Sequence, residues 1–134
     1  MTIAYRHQLE VRFRDCDPMG HVNNAVYLTY LEQARFAHWR EIWGMNFERL
    51  PEGSPGVILA HAEIDYRRPA KYGDHLEVRI SLESIGRSSF EYSYAIVDSG
   101  GNLVATARSV QVMYDYASEK SVAMSDELRS KLTG

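Results

Sequence analysis

A ten-residue segment, Asp15–Asn24, carries a high density of reactive side chains. It reads DCDPMGHVNN and holds two acids, a thiol, an imidazole and two amides. A strand pattern precedes it and a helix pattern follows, so it leads into a helix N-terminus, where unpaired backbone N–H groups and the positive dipole end favour negative charge. Such donors could polarise a carbonyl group while an upstream carboxylate attacks it or activates water. Asp17 is placed for that role, with Pro18 and Gly20 shaping its turn and His21 orienting water, assisting proton transfer or binding an acyl group.

The same residues also fit a purely structural interpretation. Asp17 and Asn23 can satisfy turn and helix-cap N–H groups, because Asx-rich loops commonly precede helices, and residue types alone favour this interpretation. Cys16 is next to Asp17, but strand alternation points the two side chains in opposite directions, and a lone cysteine most often packs as a small hydrophobe. Asp15 is expected to be structural.

Two later stretches place cations and small polar residues beside strand ends. They read DYRRPAKYGDHLEV (65–78) and IGRSSFEY (85–92). Their relevant residues are Arg67, Arg68, Lys71, Gly86, Arg87, Ser88 and Ser89. Such groups next to free backbone N–H groups suit a phosphate or pyrophosphate. Solvated strand ends with edge-protecting charges are the alternative, and spacing alone favours it.

No metal or nucleotide motif accompanies these residues. The five histidines show no metal-ligand spacing, and the sequence HAE at 61–63 falls on a predicted strand rather than in an HExxH helix. GxGxxG, P-loop and GxSxG motifs are absent from the sequence as well. The sequence therefore predicts no metal site and argues against the common dinucleotide, nucleotide and serine-hydrolase classes.

The hydrophobic pattern predicts that the reactive segment joins a strand to a long helix. The strand shows period-2 alternation, with apolar positions at Leu9, Val11 and Phe13. The helix is predicted over residues 25–45, with Asn23 or Asn24 suited to cap its start and Gly44 its end. Its apolar residues occupy nearly the whole circumference, so we expect it to be buried on nearly all sides.

Four further strands are predicted after a loop at residues 46–56. They cover residues 58–66, with an end near Pro69, and then 76–82, 90–96 and 104–116. Asp98–Asn102 is a hairpin turn, and Ser125 or Asp126 caps a short terminal helix. The predicted fold is α+β, a five-stranded curved antiparallel sheet around one long central helix. Because one sheet cannot cover both sides of that helix, we expect a homodimer.

Composition limits the classes of protein. A chain of 134 residues with 45% hydrophobic and 25% charged content is expected to form one domain, residues 1–134. A net charge of −3 gives no reason to expect a nucleic-acid partner. The lone cysteine cannot form an intrachain disulfide, and there is neither a signal-peptide pattern nor an apolar run of roughly 20 residues. We therefore expect a cytoplasmic protein with no membrane partner.

The reactive segment carries a family resemblance. DCDPMGHVNNAVYLTYLEQAR resembles the signature of hotdog-fold acyl-CoA thioesterases of the 4-hydroxybenzoyl-CoA thioesterase type, and YRRPAKYGD and GRSSF follow in the expected order. The similarity covers about residues 5–117. It implies hydrolysis of an acyl-CoA thioester to a free acid and CoA. It further implies no cofactor, since CoA is part of the substrate, and a homodimer or homotetramer with the site at the dimer interface.

The resemblance also implies roles for individual residues. Asp17 matches the catalytic carboxylate, as nucleophile or general base, and the backbone at Asn23 and Asn24 would polarise the thioester carbonyl. The expected catalytic residues are Asp17, His21 and Asn24. The expected substrate- and CoA-binding residues are Asn23, Tyr27, Arg68, Lys71, Arg87, Ser88 and Ser89.

The sequence departs from part of this family. Aromatic-gated aryl-CoA enzymes carry aromatic residues after the glycine, whereas the GHVNN form here also resembles thioesterases with aliphatic acyl-CoA or acyl-carrier-protein substrates. A His-Phe-Pro-Gly-like motif is absent, which disfavours the related dehydratases. Two alternatives stay open. One is an acyl-carrier-protein thioesterase whose basic residues meet an acidic protein partner; the other is a non-catalytic acyl-CoA-binding module.

Overall fold

A computed structural model describes residues 2–44 and 56–134. Its strands are β1 (Tyr5–Glu10), β2 (Gly56–Tyr66), β3 (His75–Ile85), β4 (Ser89–Asp98), β5 (Leu103–Asp115) and β6 (Lys120–Ser121). Its helices are α1 (Val26–Trp43), α2 (Asp126–Thr133) and a short 3-10 helix (Phe13–Asp15). All strand pairs are antiparallel, in the order β1-β3-β4-β5-β2, and β6 pairs with the end of β5. The predicted α+β antiparallel architecture is confirmed, with a sixth, two-residue strand that the sequence pattern did not indicate.

The core lies between α1 and one face of this sheet. Period-2 alternation places one set of β3 and β4 side chains on that face, as predicted. These side chains are buried at Leu76, Val78, Ile80, Phe90, Tyr92, Tyr94 and Ile96. Helix α1 covers them with residues that include Tyr30, Leu31, Ala34 and Trp39. Burial of each such side chain contributes roughly 1.5–3 kcal/mol, so this layer sets the position of α1 on the sheet.

The first strand is shorter than its sequence pattern predicts. β1 ends at Glu10, and Phe13 lies in the 3-10 helix with 77% of its surface exposed. The physical reason is Asp15, whose carboxylate accepts the backbone N–H of Arg12 at 2.9 Å and so closes a turn in place of continued strand pairing. The extension of the strand through Phe13 is therefore wrong. The next strand, β2, ends at Tyr66, three residues before Pro69, near which the sequence predicts its end.

Helix α1 is amphipathic rather than apolar all round. Its exposed positions include Glu32, Gln33 and Arg40, and its buried stripe includes the polar residues Arg35 and His38. Within one subunit the helix is therefore not buried on nearly all sides, and cover of its exposed side by a second subunit stays a prediction. Buried polar side chains on the helix are accommodated by tyrosine hydroxyl groups on β4, which supply hydrogen-bond partners that a periodicity argument does not include.

The two ends of α1 differ from each other in how they are capped. Gly44 adopts a left-handed conformation with φ of 64° and donates its N–H to Arg40, which confirms the predicted stop. At the start the capping position is Ala25 rather than an asparagine. Asn23 acts one step earlier, since its side-chain oxygen accepts the backbone N–H of Ala25 at 3.0 Å. The predicted loop at 46–55 lies outside the described residues, and Gly56 already belongs to β2.

The remaining predicted connections are present. Asp98 and Asn102 close the hairpin turn through the Asp98 N–H, 3.0 Å from the Asn102 carbonyl. Ser125 caps α2, because its hydroxyl accepts the backbone N–H of Leu128 at 3.2 Å. Both connections hold the strands and the terminal helix in the order that the sequence pattern indicates.

Candidate active site at the start of the central helix

The reactive segment folds into a small hairpin. Cys16 and Val22 form an antiparallel bridge, and the Asp17 N–H lies 3.0 Å from the His21 carbonyl. At the tip, Gly20 donates its N–H to the Asp17 carbonyl at 3.0 Å and adopts φ of 89°, a conformation that other residues rarely take. The turn from Asp17 to Gly20 therefore has the form expected from its proline and glycine. It fixes the backbone position of Asp17.

Asp15 anchors the base of this hairpin. Its side chain is 3% exposed and accepts three hydrogen bonds, from the Arg12 N–H at 2.9 Å, the Arg12 guanidinium at 3.1 Å and the Tyr30 hydroxyl at 2.8 Å. Burial acts to raise the pKa of Asp15, but these donors outweigh it and hold the pKa below its ordinary value. Its carbonyl also accepts the Asn23 N–H at 2.9 Å. Asp15 thus connects the hairpin to α1, the structural role expected for it.

Asp17 has one carboxylate oxygen in use and one available. The side chain is half-buried, and Oδ1 accepts the Met19 N–H at 2.9 Å. Within residues 2–44 and 56–134, no hydrogen bond engages Oδ2. Stabilisation of the turn therefore uses only Oδ1 of Asp17. Oδ2 is available to act as a base or a nucleophile. Cys16 is partly buried against the core, in agreement with a packing role.

A backbone donor just before α1 has no protein partner among the described residues. The Asn23 carbonyl accepts the Val26 N–H at 2.9 Å, and the Asn24 carbonyl accepts the Tyr66 hydroxyl at 2.9 Å. The backbone N–H of Asn24 makes no hydrogen bond to any described residue. Since it lies just before the helix, where the dipole adds positive potential, this N–H is suited to bind a carbonyl oxygen that gains negative charge.

A cleft of about 220 Å³ lies beside this donor. It is lined by His21, Val22, Asn24, Tyr27, Tyr66, Arg67, Arg68 and Pro69. The cleft brings together four of the predicted site residues, whereas Asp17, Asn23 and Lys71 do not line it.

Tyr27 is buried, accepts the Ala70 N–H at 3.3 Å and has a pKa raised by that burial. Its ring meets that of Tyr66 edge-on, with centroids 5.3 Å apart.

Tyr66 is a lining residue that the sequence pattern does not assign to the site. The pattern gives it only as one of the apolar positions that share a face of the strand predicted at 58–66, and its contact with Asn24 joins residues 42 apart in the chain. No local pattern signals that contact. Lys71 is close through its backbone, which bridges to His21. The Arg68 guanidinium lies 4.0 Å from the Asp98 carboxylate on a solvent-exposed surface, so this ion pair leaves it able to bind an anion.

The predicted Arg87–Ser89 group lies at the other end of the sheet. Ser89 pairs with Val112 on β5, whereas Tyr66 at the cleft pairs with Ala105 on the same strand. These two β5 positions are seven residues apart, which corresponds to about 23 Å of strand. The Arg87 carbonyl instead accepts the Met124 N–H at 2.8 Å, next to α2. Within one subunit, the structure therefore separates this group from the helix start.

Within the described part of the chain, no three His, Cys, Asp or Glu side chains are grouped so that they could hold a metal ion. No described helix has the length and apolar content needed to cross a membrane.

Comparison with known proteins shows the family. Residues 11–132 match the thioesterase-like superfamily. The long-chain acyl-CoA thioesterase FadM of Escherichia coli (strain K12) is 32% identical over 93% of this chain and 94% of its own length. A 1,4-dihydroxy-2-naphthoyl-CoA hydrolase of Synechococcus elongatus is 29% identical over 96% and 94%. A solved thioesterase from Thermus thermophilus, complexed with coenzyme A and Zn, has a TM-score of 0.82 at 29% identity, covering 99% of this chain and 100% of that one. The chain belongs to the thioesterase-like superfamily and is a thioester hydrolase of the hotdog acyl-CoA thioesterase type.

Proposed function

We propose that this protein hydrolyses acyl-CoA thioesters to a free carboxylic acid and CoA, using Asp17 and the start of α1. The observation that carries the proposal is the unpaired Asn24 N–H at the cleft, one hairpin away from a carboxylate whose Oδ2 is unengaged in the described part of the chain. A thioester hydrolase needs these two parts: a donor for the carbonyl oxygen and a group that attacks or activates water. The proposal requires that both groups reach the same carbonyl when substrate is bound.

The reaction follows from these two groups. Asp17 removes a proton from water, whose oxygen adds to the thioester carbon, or its carboxylate adds directly and water cleaves the resulting anhydride. In both routes the carbonyl oxygen gains negative charge, which the Asn24 N–H stabilises. The C–S bond breaks as this tetrahedral intermediate collapses, which in the second route forms the anhydride, and the CoA thiolate takes up a proton from protonated Asp17 or from water. His21 lines the cleft and orients the water or the leaving group.

A second subunit completes the proposed site. Within the described residues β2 pairs only with β5 and forms one edge of the sheet, with Leu59 49% and Tyr66 45% exposed. An unprotected edge of this length, 11 residues, favours pairing with a second copy. Because Arg87–Ser89 lies about 23 Å from the cleft along the sheet, its proposed contact with CoA requires the cleft of the partner subunit.

CoA is the proposed carrier of the acyl group. The relatives named above act on CoA thioesters, and the Arg67 and Arg68 side chains line the cleft on an exposed surface suited to phosphate. We place the reaction in the cytoplasm, as the sequence leads us to expect, with a homodimer or a homotetramer as the active form. No cofactor or metal takes part in the proposed steps.

The test is a hydrolysis panel for the wild-type protein. Butanoyl-, octanoyl-, hexadecanoyl- and benzoyl-CoA are compared with octanoyl acyl carrier protein, and thiol release and free acid are both quantified. The proposal expects stoichiometric acid and CoA, with a higher kcat/KM for octanoyl-CoA than for the carrier-protein ester. Faster turnover of the carrier-protein ester would establish the alternative in which the cleft arginines meet an acidic protein. CoA esters that raise the Tm but are recovered intact would establish a binding module.

A further inference from the structure

A second cavity lies away from the start of α1. It measures about 820 Å³, is partly open to solvent, and is lined by the N-terminal segment, the C-terminal half of α1, β3 and α2. Its apolar walls come from Ile3, Ala4, Ile42, Leu82 and Leu132. His38 also lines it, eleven residues beyond Tyr27 and therefore about 17 Å further along the helix. The cavity is thus separate from the cleft assigned to thioester hydrolysis.

Hydrogen bonding fixes the tautomer of His38. Its Nδ1 lies 2.9 Å from the Tyr92 hydroxyl, which also accepts the Trp39 indole N–H at 2.9 Å. Tyr92 has a single hydroxyl proton, and within the described residues His38 Nδ1 is the acceptor in reach. Nδ1 therefore accepts, and the ring proton is on Nε2. This assignment leaves His38 with an N–H donor on the edge of the ring opposite Tyr92.

The Nε2–H of His38 is directed to the cavity. The residue is 3% exposed, yet no buried side-chain nitrogen or oxygen in the described residues lacks a partner. Nε2 has no protein partner among these residues, so it must be the atom that reaches open space. A ligand oxygen in the cavity can therefore accept the hydrogen bond of this N–H.

The cavity carries little net charge. Burial lowers the pKa of His38 to about 4, so the ring is neutral at pH 7. The Lys131 ammonium also lines the cavity, but its side chain is 45% exposed and lies 3.5 Å from the exposed Glu127 carboxylate, so water and that carboxylate screen its charge. A carboxylate placed beside the buried, neutral His38 ring would lose hydration without gaining a cation at that point. The surroundings therefore favour an uncharged head group.

We propose that this cavity binds an uncharged aliphatic molecule with one acceptor oxygen, a hydroxyl or carbonyl group on an alkyl chain, which accepts the hydrogen bond of His38 Nε2. The alkyl chain lies against the apolar walls formed by Ile42, Leu82 and Leu132. This site does not depend on the proposed hydrolysis. Its occupant contacts the N-terminal segment, α1 and α2 together, so binding stabilises their packing.

The test compares three ligands and two variants by calorimetry, with 1-decanol as the probe and decanoate and decane-1-sulfonate as charged matches. The wild-type protein should bind 1-decanol at one site, at least tenfold more tightly than either anion. His38→Asn keeps an acceptor for Tyr92 but lacks the Nε2–H, and it should weaken 1-decanol binding about tenfold. His38→Gln restores an N–H near the position of His38 Nε2. It should recover part of the lost affinity for 1-decanol.

Leu82→Trp fills the cavity and should abolish 1-decanol binding while thioester hydrolysis stays within about twofold. If this variant fails to fold, Ile3→Trp, in the segment before β1, serves in its place. Absence of 1-decanol binding to the wild-type protein would overturn the proposal. So would tighter binding of decanoate, or 1-decanol affinity that neither the His38 variants nor the filling variants change.

Discussion

Asp15→Asn should destabilise the protein by about 2–3 kcal/mol at pH 7, because the Asp15 carboxylate is 3% exposed and accepts three hydrogen bonds from Arg12 and Tyr30. Hydrogen bonds to a charged group contribute about 1.5–3 kcal/mol each when one partner is removed. An asparagine keeps one acceptor oxygen, but its amide group points N–H donors at other donors. Tyr30→Phe removes only the 2.8 Å bond and should cost about 1.5 kcal/mol.

The contribution of Asp15 to stability should depend on pH in a defined direction. The pKa of Asp15 is lower in the folded protein than its ordinary value, since its hydrogen-bond donors outweigh the opposing effect of burial. Its contribution to stability is therefore complete above the unfolded-state pKa of about 4 and is lost as the pH falls through the lower folded-state pKa. The gap in stability between wild type and Asp15→Asn should be constant from pH 7 to about pH 5 and narrow below about pH 4.

The assay is urea unfolding at pH 7, 5 and 3, with Asp17→Asn as the matched control. Asp17 is half-buried, and its single hydrogen bond from Met19 can be kept by an asparagine oxygen, so this variant should lie within about 0.5 kcal/mol of wild type. Equal destabilisation by the two variants would refute the reasoning. If the difference in unfolding free energy between wild type and Asp15→Asn is the same at pH 3 as at pH 7, the negative charge of Asp15 does not contribute to stability as argued.

Three further predictions concern the core, the sheet edge and CoA. Tyr92→Phe leaves the Trp39 indole N–H without an acceptor and should cost about 2–3 kcal/mol in urea unfolding; a loss under about 0.5 kcal/mol would contradict the bond. Leu59→Lys on β2 should shift the protein to monomers in sedimentation, and an unchanged oligomer would exclude this edge as the interface. Arg87→Ala should raise KM about tenfold for an acyl-CoA but leave the matching acyl-pantetheine unchanged, whereas equal effects on both would remove Arg87 from phosphate binding.

The strands and their inward faces could be predicted because period-2 alternation depends on each strand's own residues. The alternation assigns Val78 and Tyr92 to the core correctly for this reason. The end of β1 could not be predicted, because it depends on the carboxylate of Asp15 closing a turn that competes with strand pairing. The burial of His38 depends likewise on hydroxyl groups of another strand, which periodicity along the helix does not show.

The residues of the candidate cleft could be predicted only in part. The density of acids and amides before a helix points to Asp17 and Asn24; Asn24 lines the cleft just before α1, whereas Asp17 lies in the preceding hairpin and does not line it. Tyr66 cannot be recognised as a cleft residue from the sequence, because it reaches the site through a contact between distant segments. The group at Arg87 follows a motif, but only the strand register shows that it lies at the opposite end of the sheet.

The central claim is that Asp17 carries out thioester hydrolysis, and Asp17→Asn tests it most directly. The measurement is kcat for the best acyl-CoA of the panel, with urea unfolding on the same preparations to show that the fold is intact. The account predicts that kcat falls by about 10² or more while stability and KM change little. A folded Asp17→Asn protein that retains kcat within a few-fold of wild type on every active substrate would contradict it.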